Sequence, residues 1–263
     1  MNKKNLFNIL DFGSSKIKFT NFDDNLEENF SETIPVTLGD DNLNYFHEIK
    51  NIIKKAEKKT SSYIKDIILI HNPLHLFEIN LSLNKILNET SSIEKIYNSF
   101  LLELKHIMSN NYNHYDIAHV ITDKCIVNGK IYFKFPFHLK KINNIKADFK
   151  LICFPKKINI NIREEFKKIN LDIKNIFCTT YTKTSYYLNK FNCENISFLE
   201  IGFNKTTIAI YEKNNLKVIY SIPIGSFNIT KDISKIFKIS LQDADEIKKL
   251  FNKSETEFSY NNS

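Results

Sequence analysis

Arginine is almost absent from this basic sequence. Arg163 is the single arginine among 37 lysine and arginine residues, and the formal net charge at pH 7 is +7. A guanidinium makes the paired hydrogen bonds that specific nucleic-acid recognition favours, whereas lysine is a flexible point charge. Because the lysines are spread along the chain instead of clustered, we expect a solvated basic surface and no specific nucleic-acid partner.

Cysteine is scarce, and long apolar runs are missing. The four cysteines, Cys125, Cys153, Cys178 and Cys193, show no C-x-x-C spacing, so we expect reduced, buried thiols and a cytoplasmic protein. No run reaches the roughly 18 apolar residues of a membrane-spanning helix. The apolar run near the amino terminus ends at Asp11 and is too short for a signal peptide. A chain of 263 residues can bury the core of one large or two modest domains.

The sequence also lacks the familiar short catalytic and metal-binding motifs. It contains no nucleophile elbow, no zinc-ligand spacing and no Walker-type lysine loop. His71 and His75 are four residues apart, but Pro73 between them argues against a helical metal pair. His114 and His119 have no set of acids or thiols nearby in the sequence. These histidines therefore predict no metal site.

A hairpin is predicted near the start of the chain. An apolar strand at 6–10 meets Asp11, then Gly13 and the polar turn 14–16, and an alternating strand covers 17–22. A glycine lets backbone N–H groups approach an anion, and a carboxylate beside it can hold Mg²⁺ through water. One such hairpin is weak evidence, because ordinary turns also contain glycine.

The same plan recurs about 190 residues later, which indicates an internal repeat. The apolar strand 196–201 contains Glu200, Gly202 follows, the polar turn is 204–206, and an alternating strand covers 207–211. Two such hairpins facing each other across a cleft would clamp a nucleotide triphosphate and its Mg²⁺ between glycine-supported N–H groups and two acids.

The remaining pattern alternates between helices and strands, as expected of an α/β protein. An apolar face predicts a helix over 43–59. Two final helices are expected to face inward. The first would place Ile229, Ile233, Ile236 and Phe237 against the sheet, and the second would carry Leu241, Ala244, Ile247 and Phe251 inward. The other predictions are strands at 27–38, 66–70, 76–83, 118–122, 125–127, 130–135, 148–154, 173–177 and 216–224, helices at 92–108, 161–171 and 182–191, a tight reversal at 214–215 and a capping box at 240–243.

Both hairpin motifs resemble those of a known superfamily. DFGSSK at 11–16 and EIGFNKTT at 200–207 resemble the first and second phosphate loops of the actin/Hsp70/sugar-kinase superfamily. With the segments YSIPIGSFNITKDIS, LQDADEIKK, HYDIAHVITDKCIVNGK and FPFHL, the chain is similar to the bacterial cell-division actin FtsA over nearly its whole length. The resemblance implies an α/β, actin-like (ribonuclease H-like) ATPase fold.

The resemblance also implies a division into subdomains. Residues 1–75 and 155–192 would form subdomain 1A. Residues 76–154 would form an inserted α+β subdomain 1C of the SHS2 type, which takes part in self-association. Residues 193–263 would form the first part of subdomain 2A. Because the family continues well beyond this length, we expect a carboxy-terminally truncated chain with an incomplete second half, lacking subdomain 2B, the adenosine-binding segment and the amphipathic membrane helix.

By resemblance, ATP and Mg²⁺ lie in the cleft between the hairpins. Asp11 and Glu200 would hold the metal through water, although Glu200 stands where the family usually has aspartate. Phe203 and Asn204 replace two glycines of the family's second loop. The residues implied to contact ATP are Gly13, Ser14, Ser15, Lys16, Gly202, Asn204, Lys205 and Thr206, with Asp245 and Lys248 at the ribose and the base edge.

The function implied is that of an FtsA-type cell-division adaptor, which binds ATP, helps assemble the divisome and tethers the FtsZ ring to the inner membrane. The expected location is the cytoplasmic face of that membrane at the division septum. The expected partners are FtsZ, other divisome proteins and further copies of the chain, and any ATP hydrolysis would be slow.

Two alternatives remain open. One is a PilM-like adaptor of type IV pilus assembly, which would bind a short amino-terminal peptide of a membrane protein. The other is a sugar or acetate kinase, disfavoured by the inserted module and by a missing substrate-binding acid.

Overall fold

The computed structural model describes residues 7–36, 43–73, 75–87, 92–139, 142–191 and 193–251. The strands are β1 (Phe7–Phe12), β2 (Lys16–Phe22), β3 (Glu28–Pro35), β4 (Asp66–His71), β5 (Phe77–Ile86), β6 (Tyr115–Val127), β7 (Lys130–Tyr132), β8 (Asn144–Pro155), β9 (Asp172–Cys178), β10 (Ile196–Ile201), β11 (Thr206–Glu212) and β12 (Asn215–Ile222). The helices are α1 (Leu43–Thr60), α2 (Ile93–Asn111), α3 (Lys156–Lys168), α4 (Thr179–Phe191), α5 (Ser226–Phe237) and α6 (Leu241–Phe251). No helix in these residues combines the length and the apolar content needed to cross a membrane.

The strands form three sheets. The first has the order β3-β2-β1-β4-β9, in which β1, β2 and β3 are antiparallel neighbours and β4 and β9 run parallel to β1. The second has the order β5-β8-β6-β7, and with α2 it forms what we call the inserted module, because its elements lie in the chain between β4 and β9 of the first sheet. The third sheet is β10-β11-β12. The repeat therefore appears as two antiparallel meanders, β1–β2–β3 and β10–β11–β12.

Helix α1 covers the first sheet with the apolar face that the sequence predicts. Its Ile49, Ile52 and Ala56 belong to the same buried cluster as Leu10 of β1 and Phe19 of β2. Burying an aliphatic side chain of this size contributes roughly 1.5–3 kcal/mol. The lysine-rich face of α1 is left to solvent, in agreement with its amphipathic pattern.

The inserted module has a core of its own beneath helix α2. Phe100 and Leu104 of α2 are fully buried, and the ring centroid of Phe100 lies 5.5 Å from that of Phe149 in β8. The two short strands predicted between 118 and 127 are one strand, β6, because its pairing with β8 shifts register at a bulge instead of ending. Strand β7 ends at Tyr132, three residues earlier than predicted.

Helix α4 joins the first and third sheets. It contacts β9 as well as β10 and β11, and the hydroxyl groups of Thr184 and Tyr211 are hydrogen-bonded at 2.7 Å. On the inner face of the third sheet, Ala209, Leu216 and Ile219 belong to the same buried cluster as the first sheet. The two halves therefore share one core.

The inserted module also contacts the third sheet, at β12. The Lys217 ammonium lies 3.0 Å from a carboxylate oxygen of Asp123, and the Asn215 side chain donates to the Asp123 carbonyl at 3.2 Å. The Glu78 carboxylate accepts a hydrogen bond from the N–H of Ile219. These contacts connect β5 and β6 of the module to the second half of the chain.

The last two helices correct a prediction. Ala244 is buried as predicted, but most of the other apolar side chains expected to face inward are exposed, namely Ile229, Ile236, Phe237, Leu241, Ile247 and Phe251. Helices α5 and α6 pack mainly against each other, around Ala244. Their apolar periodicity therefore marks a face without a covering layer among the residues that the structure describes.

The reversal between β11 and β12 differs from the prediction by one residue. Lys213 and Asn214 carry the positive φ angles, 50° and 63°, whereas Asn215 is already the first residue of β12. Positive φ at both central residues suits the right-handed twist of a two-residue hairpin loop. Asn214 adopts this conformation at little cost, which explains why the pair of asparagines at 214–215 indicated a turn near the right position.

Three of the four cysteines are buried, as predicted. Burial raises the pKa of Cys125 and of Cys153 to about 12, and the pKa of Cys178 to about 11, so these thiols stay protonated at neutral pH. Cys193 is exposed, which corrects the expectation of four buried thiols.

Candidate functional site

The two predicted loops have the same backbone geometry. We call residues 11–16 the first loop and residues 200–206 the second loop. In the first, the N–H of Gly13 donates to the carbonyl of Lys16 at 3.1 Å, and in the second, the N–H of Gly202 donates to the carbonyl of Lys205 at 2.8 Å. A Cβ on either glycine would lie 2.7 or 2.9 Å from that oxygen, closer than side-chain carbons approach. Both loops thus read acid-x-Gly-x-x-Lys, and the shared lysine extends the repeat beyond the sequence prediction.

The two loops face each other across a cavity of about 430 Å³. The end of β4 and the start of α4 complete its wall. The cavity brings together the predicted residues of both loops except Asn204 and Thr206. The lining residues are Asp11, Phe12, Gly13, Ser14, Ser15, Lys16, His71, Asn72, Thr179, Lys183, Glu200, Ile201, Gly202, Phe203, Lys205 and Thr207.

Two residues of the polar turn in the second loop, Asn204 and Thr206, do not line the cavity as predicted. The Thr206 hydroxyl donates to the Ile224 carbonyl at 2.7 Å, so it closes the loop, and Thr207 lines the cavity instead. Asn204 does not line the cavity. Neither Phe203 nor Asn204 is among the described residues with positive φ, so replacing the family's glycines causes no backbone strain here.

Asp245 and Lys248 lie where α6 meets α5, and neither lines the cavity. The Lys248 ammonium is 2.7 Å from Asp245 Oδ1 and also donates to the Thr230 hydroxyl at 2.7 Å. Burial would raise the pKa of Asp245, but the bonds from Lys248 and Lys249 outweigh it and lower the pKa. The contact of this pair with a ribose or a base stays a prediction.

Lys183 of α4 is a site residue that the sequence analysis does not single out. Its ammonium lies 2.8 Å from Glu200 Oε1, and the Thr180 hydroxyl donates to Glu200 Oε2 at 2.9 Å. Burial would raise the pKa of Glu200, but the hydrogen bond and charge of Lys183 outweigh it and lower the pKa. The helix was predicted to begin at 182, whereas it begins at Thr179 and so brings its first turn to the cavity.

Asn72 connects Glu200 to the first sheet. Its side-chain amide donates to the Thr180 hydroxyl at 2.6 Å, and its oxygen accepts from the Cys178 thiol at 3.1 Å. Because Thr180 in turn donates to Glu200, a hydrogen-bonded chain runs from the end of β9 to the end of β10. The sequence offered no sign of Asn72, which follows a buried strand as an ordinary polar residue.

Lys205 also crosses the cleft. Its ammonium donates to the carbonyls of Asn72 at 2.8 Å and Pro73 at 2.7 Å. Burial lowers its pKa to about 8, only partly opposed by nearby negative charge. Because these two hydrogen-bond acceptors are uncharged carbonyls, the positive charge of Lys205 can interact with an anion that enters the cavity.

His71 contributes an uncharged ring to the wall of the cavity. Its ring centroid lies 6.2 Å from those of Phe12 and Phe154. Burial lowers the pKa of His71 to about 4, and the charge of Lys205 acts in the same direction. A neutral imidazole therefore lines the site at physiological pH.

The carboxylates are not arranged to ligate a magnesium ion directly, and binding through water stays a prediction. Both oxygens of Glu200 are taken by Lys183 and Thr180. Burial raises the pKa of Asp11, and only part of this is offset by Lys183. The described residues contain no group of three or more His, Cys, Asp or Glu side chains suited to a metal, whereas Mg²⁺ demands near-octahedral oxygen ligands. The loops fit phosphate better, since they present hydroxyls, ammonium groups and a helix start.

Comparison with known proteins identifies the sequence likeness. The family model described as cell division protein FtsA matches residues 198–261, which include the second loop. Cell division protein FtsA of Bacillus subtilis is 29% identical over 136 residues, covering 51% of this chain and 30% of that protein. The FtsA of Staphylococcus epidermidis is 23% identical over 208 residues, covering 76% of this chain and 43% of that protein. The chain is FtsA-like.

The FtsA-like chain spans less than half the length of these two relatives. Among solved structures, the PilM-PilN type IV pilus biogenesis complex matches with a TM-score of 0.61 at 11% identity. The match covers 94% of this chain and 70% of that chain. Such a likeness concerns the fold alone, and together with the paired hairpins it confirms the predicted actin-like ATPase fold.

Proposed function

We propose that this chain binds ATP between its first and second loops and acts in cell division as an actin-like adaptor of the FtsA type. The observation that carries the proposal is the repeated loop geometry across a single cavity: Gly13 with Lys16 on one side, and Gly202 with Lys205 on the other. In the actin-like fold, two such loops generally hold a nucleotide and a divalent metal ion. The similarity of residues 198–261 to FtsA points to the division protein within this fold.

The lining of the cavity matches the phosphates of a nucleotide. Ser14 and Ser15 are exposed hydroxyls on the first loop, and Lys16 and Lys205 supply ammonium groups from both sides. Thr179 places the positive end of the α4 dipole at the cavity. The prediction that Asp11 and Glu200 hold Mg²⁺ through water is the part that the geometry supports least, because of the bonds to Glu200.

The adaptor role extends this proposal to partners. We infer that residues 1–75 with 155–192, 76–154 and 193–263 act as subdomains 1A, 1C and part of 2A, in line with the three sheets. FtsZ, other divisome proteins and further copies of the chain are the proposed partners, at the cytoplasmic face of the inner membrane. ATP would control subdomain closure, with slow hydrolysis at most. The support is sequence similarity to FtsA, of which this chain covers only part.

A second candidate is an adaptor of pilus assembly, favoured by the fold likeness to the PilM-PilN complex. A fluorescent fusion of the chain, expressed in its native cell, separates the two. A band at mid-cell that depends on FtsZ supports the division role. Foci that follow the pilus machinery and ignore FtsZ would replace it with the second candidate.

Calorimetric titration with ATP tests the nucleotide site. We expect binding in the micromolar range, about −8 kcal/mol, for the wild-type chain. The double variant Lys16→Met/Lys205→Met removes one ammonium from each loop and is expected to abolish measurable binding. Lys190→Met, at an exposed lysine of α4, is the control and is expected to bind like the wild type. Equal binding by all three proteins would place ATP elsewhere.

A further inference from the structure

The contact between Lys183 and Glu200 bears on whether the site requires a metal ion. The Lys183 ammonium and the Thr180 hydroxyl occupy the two oxygens of the Glu200 carboxylate at 2.8 and 2.9 Å. Lys183 comes from α4, which packs against both halves, so the shared core and neither loop positions the Lys183 backbone. Each oxygen of this carboxylate thus already accepts a hydrogen bond from the chain itself.

Lys183 also acts on the second carboxylate. Burial raises the pKa of Asp11, and Lys183 is the charge that most strongly opposes this rise. Burial would lower the pKa of Lys183, but Glu200 and then Asp11 outweigh it and raise that pKa. After burial, the negative charge of Glu200 also raises the pKa of Asp11, because the two carboxylates repel each other. One ammonium therefore compensates two carboxylates that line the same cavity, which is the task a divalent cation would otherwise perform.

The charge balance of the lining favours an anion without a metal. Lys16, Lys183 and Lys205 contribute three positive charges, against the two negative charges of Asp11 and Glu200. A magnesium ion entering between the carboxylates would meet the Lys183 ammonium at close range and would have to displace it from Glu200. Positive charges a few ångströms apart repel each other, and this repulsion is twice as large for a divalent ion as for a monovalent one.

We propose that the Lys183 ammonium takes the place of the divalent cation, so that this site binds a nucleoside triphosphate as its metal-free anion. The inference rests on the proposed nucleotide site and specifies the form of its ligand. Lys183 bridges Glu200 and the phosphates, while Lys16 and Lys205 bind the phosphates from the two loops. Such binding by point charges weakens as salt is added, because exposed charges are screened.

The experiment is an ATP titration by calorimetry in two buffers, one with EDTA and one with millimolar Mg²⁺. For the wild-type chain we expect binding in EDTA that is at least as tight as binding in Mg²⁺. For Lys183→Met we expect binding in EDTA to weaken by about tenfold or more, and Mg²⁺ to restore part of it. Lys183→Arg keeps the charge and is expected to bind in EDTA within about threefold of the wild type.

Lys190→Met, seven residues further along α4 at an exposed position, is the matched control and is expected to behave like the wild type in both buffers. Thermal unfolding of every variant verifies that it is folded. Wild-type binding that requires Mg²⁺ would overturn this inference and leave the nucleotide site intact. Absence of binding in both buffers would overturn the nucleotide site and this inference together. Unchanged binding of Lys183→Met in EDTA would overturn the role of Lys183.

Discussion

The Lys205 ammonium donates to the Asn72 carbonyl at 2.8 Å, from the second loop to the end of a strand in the first sheet. The two residues are 133 positions apart in the chain. A second bond, to the Pro73 carbonyl, holds the same ammonium at the wall of the cavity before any ligand arrives. The Lys205 side chain is therefore already ordered before an anion binds, so less conformational entropy is lost on binding.

Because of Lys205, ATP binding is expected to weaken at alkaline pH. Burial lowers its pKa from 10.5 to about 8, so the ammonium predominates at pH 7 and is lost as the pH rises through 8. We expect the ATP affinity, measured by calorimetry, to fall between pH 7 and pH 9 by roughly tenfold. Lys205→Gln is expected to bind more weakly and to lose this fall, whereas Lys190→Met keeps it. An equally steep fall in Lys205→Gln would assign the titration to another group.

His119 makes folding stability sensitive to acid. Its Nε2 accepts the N–H of Cys178 at 2.8 Å, which requires the neutral ring, and burial lowers its pKa to about 4. The unfolded chain takes up this proton near pH 6.5, so the stabilisation is complete above 6.5 and is lost as the pH falls towards 4. We expect urea unfolding to show a loss of up to about 1.4 kcal/mol per pH unit from this group.

His119→Gln keeps a hydrogen-bond acceptor and removes the titration. Its free energy of unfolding is expected to be lower at pH 7, because the ring contacts with Phe177 and Tyr181 are lost, but to vary less between pH 6.5 and 4.5. His71 also has a pKa of about 4 and remains in this variant, so a residual slope is expected. A slope as steep as in the wild type would show that His119 does not titrate in this range.

The ion pair between Lys150 and Glu78 is expected to stabilise the inserted module at the point where Glu78 meets the third sheet. The two side chains are 7% and 19% exposed, their charged atoms lie 2.9 Å apart, and Glu78 also accepts the N–H of Ile219. Glu78→Gln leaves the Lys150 ammonium buried without its counter-charge, which should lower the free energy of unfolding by about 3–5 kcal/mol. Urea unfolding measures this loss.

The double variant Glu78→Gln/Lys150→Met is expected to recover most of that loss, since no unpaired charge remains buried. The control is the exposed pair of Lys168 and Glu165, 2.6 Å apart with Lys168 68% exposed. Lys168→Met should change the free energy of unfolding by less than about 1 kcal/mol. Equal effects of Glu78→Gln and Lys168→Met would contradict a buried role for the pair.

Gly225 is expected to be required for the second loop, for reasons of space. A Cβ there would lie 2.6 Å from both the Gly202 carbonyl oxygen and the Lys205 nitrogen, all backbone atoms. Ser226, the next residue, donates its N–H to the Gly202 carbonyl at 2.9 Å. We expect Gly225→Ala to push α5 from the loop, to lower the free energy of unfolding by about 1–3 kcal/mol and to weaken ATP binding.

Gly129→Ala is the control for Gly225→Ala. A Cβ at Gly129 would meet nothing within 4 Å, although its φ of +83° adds backbone strain. This variant is expected to cost about 1–2 kcal/mol of stability, because an L-residue is strained in the left-handed region, and to leave ATP binding unchanged in calorimetry. Wild-type ATP binding by Gly225→Ala would show that the loop adapts to the added methyl group.

The sequence predicted the two loops well because their geometry is local. The acid, the glycine and the lysine of each loop lie within six residues, and the alternation of the flanking strands determines which side chains face inward. Strand β10 has the predicted bounds, 196–201. The predicted helix starts were less accurate. Helix α4 begins at Thr179 and not at 182, so the sequence did not indicate that Thr179 and Thr180 belong to the site. Helix ends depend on caps and contacts that a periodic pattern does not contain.

By itself, the sequence determined the order of helices and strands except for the division of β6 into two, the repeat of the two hairpins and the apolar face of α1. All of these follow from side chains a few positions apart. Only the tertiary structure decided that Lys183 contacts Glu200, that Lys205 contacts Asn72, and that α5 and α6 leave their apolar residues exposed. These relationships depend on how separate elements pack around the shared core, and the distance between two side chains on different elements is not encoded in the pattern of either one.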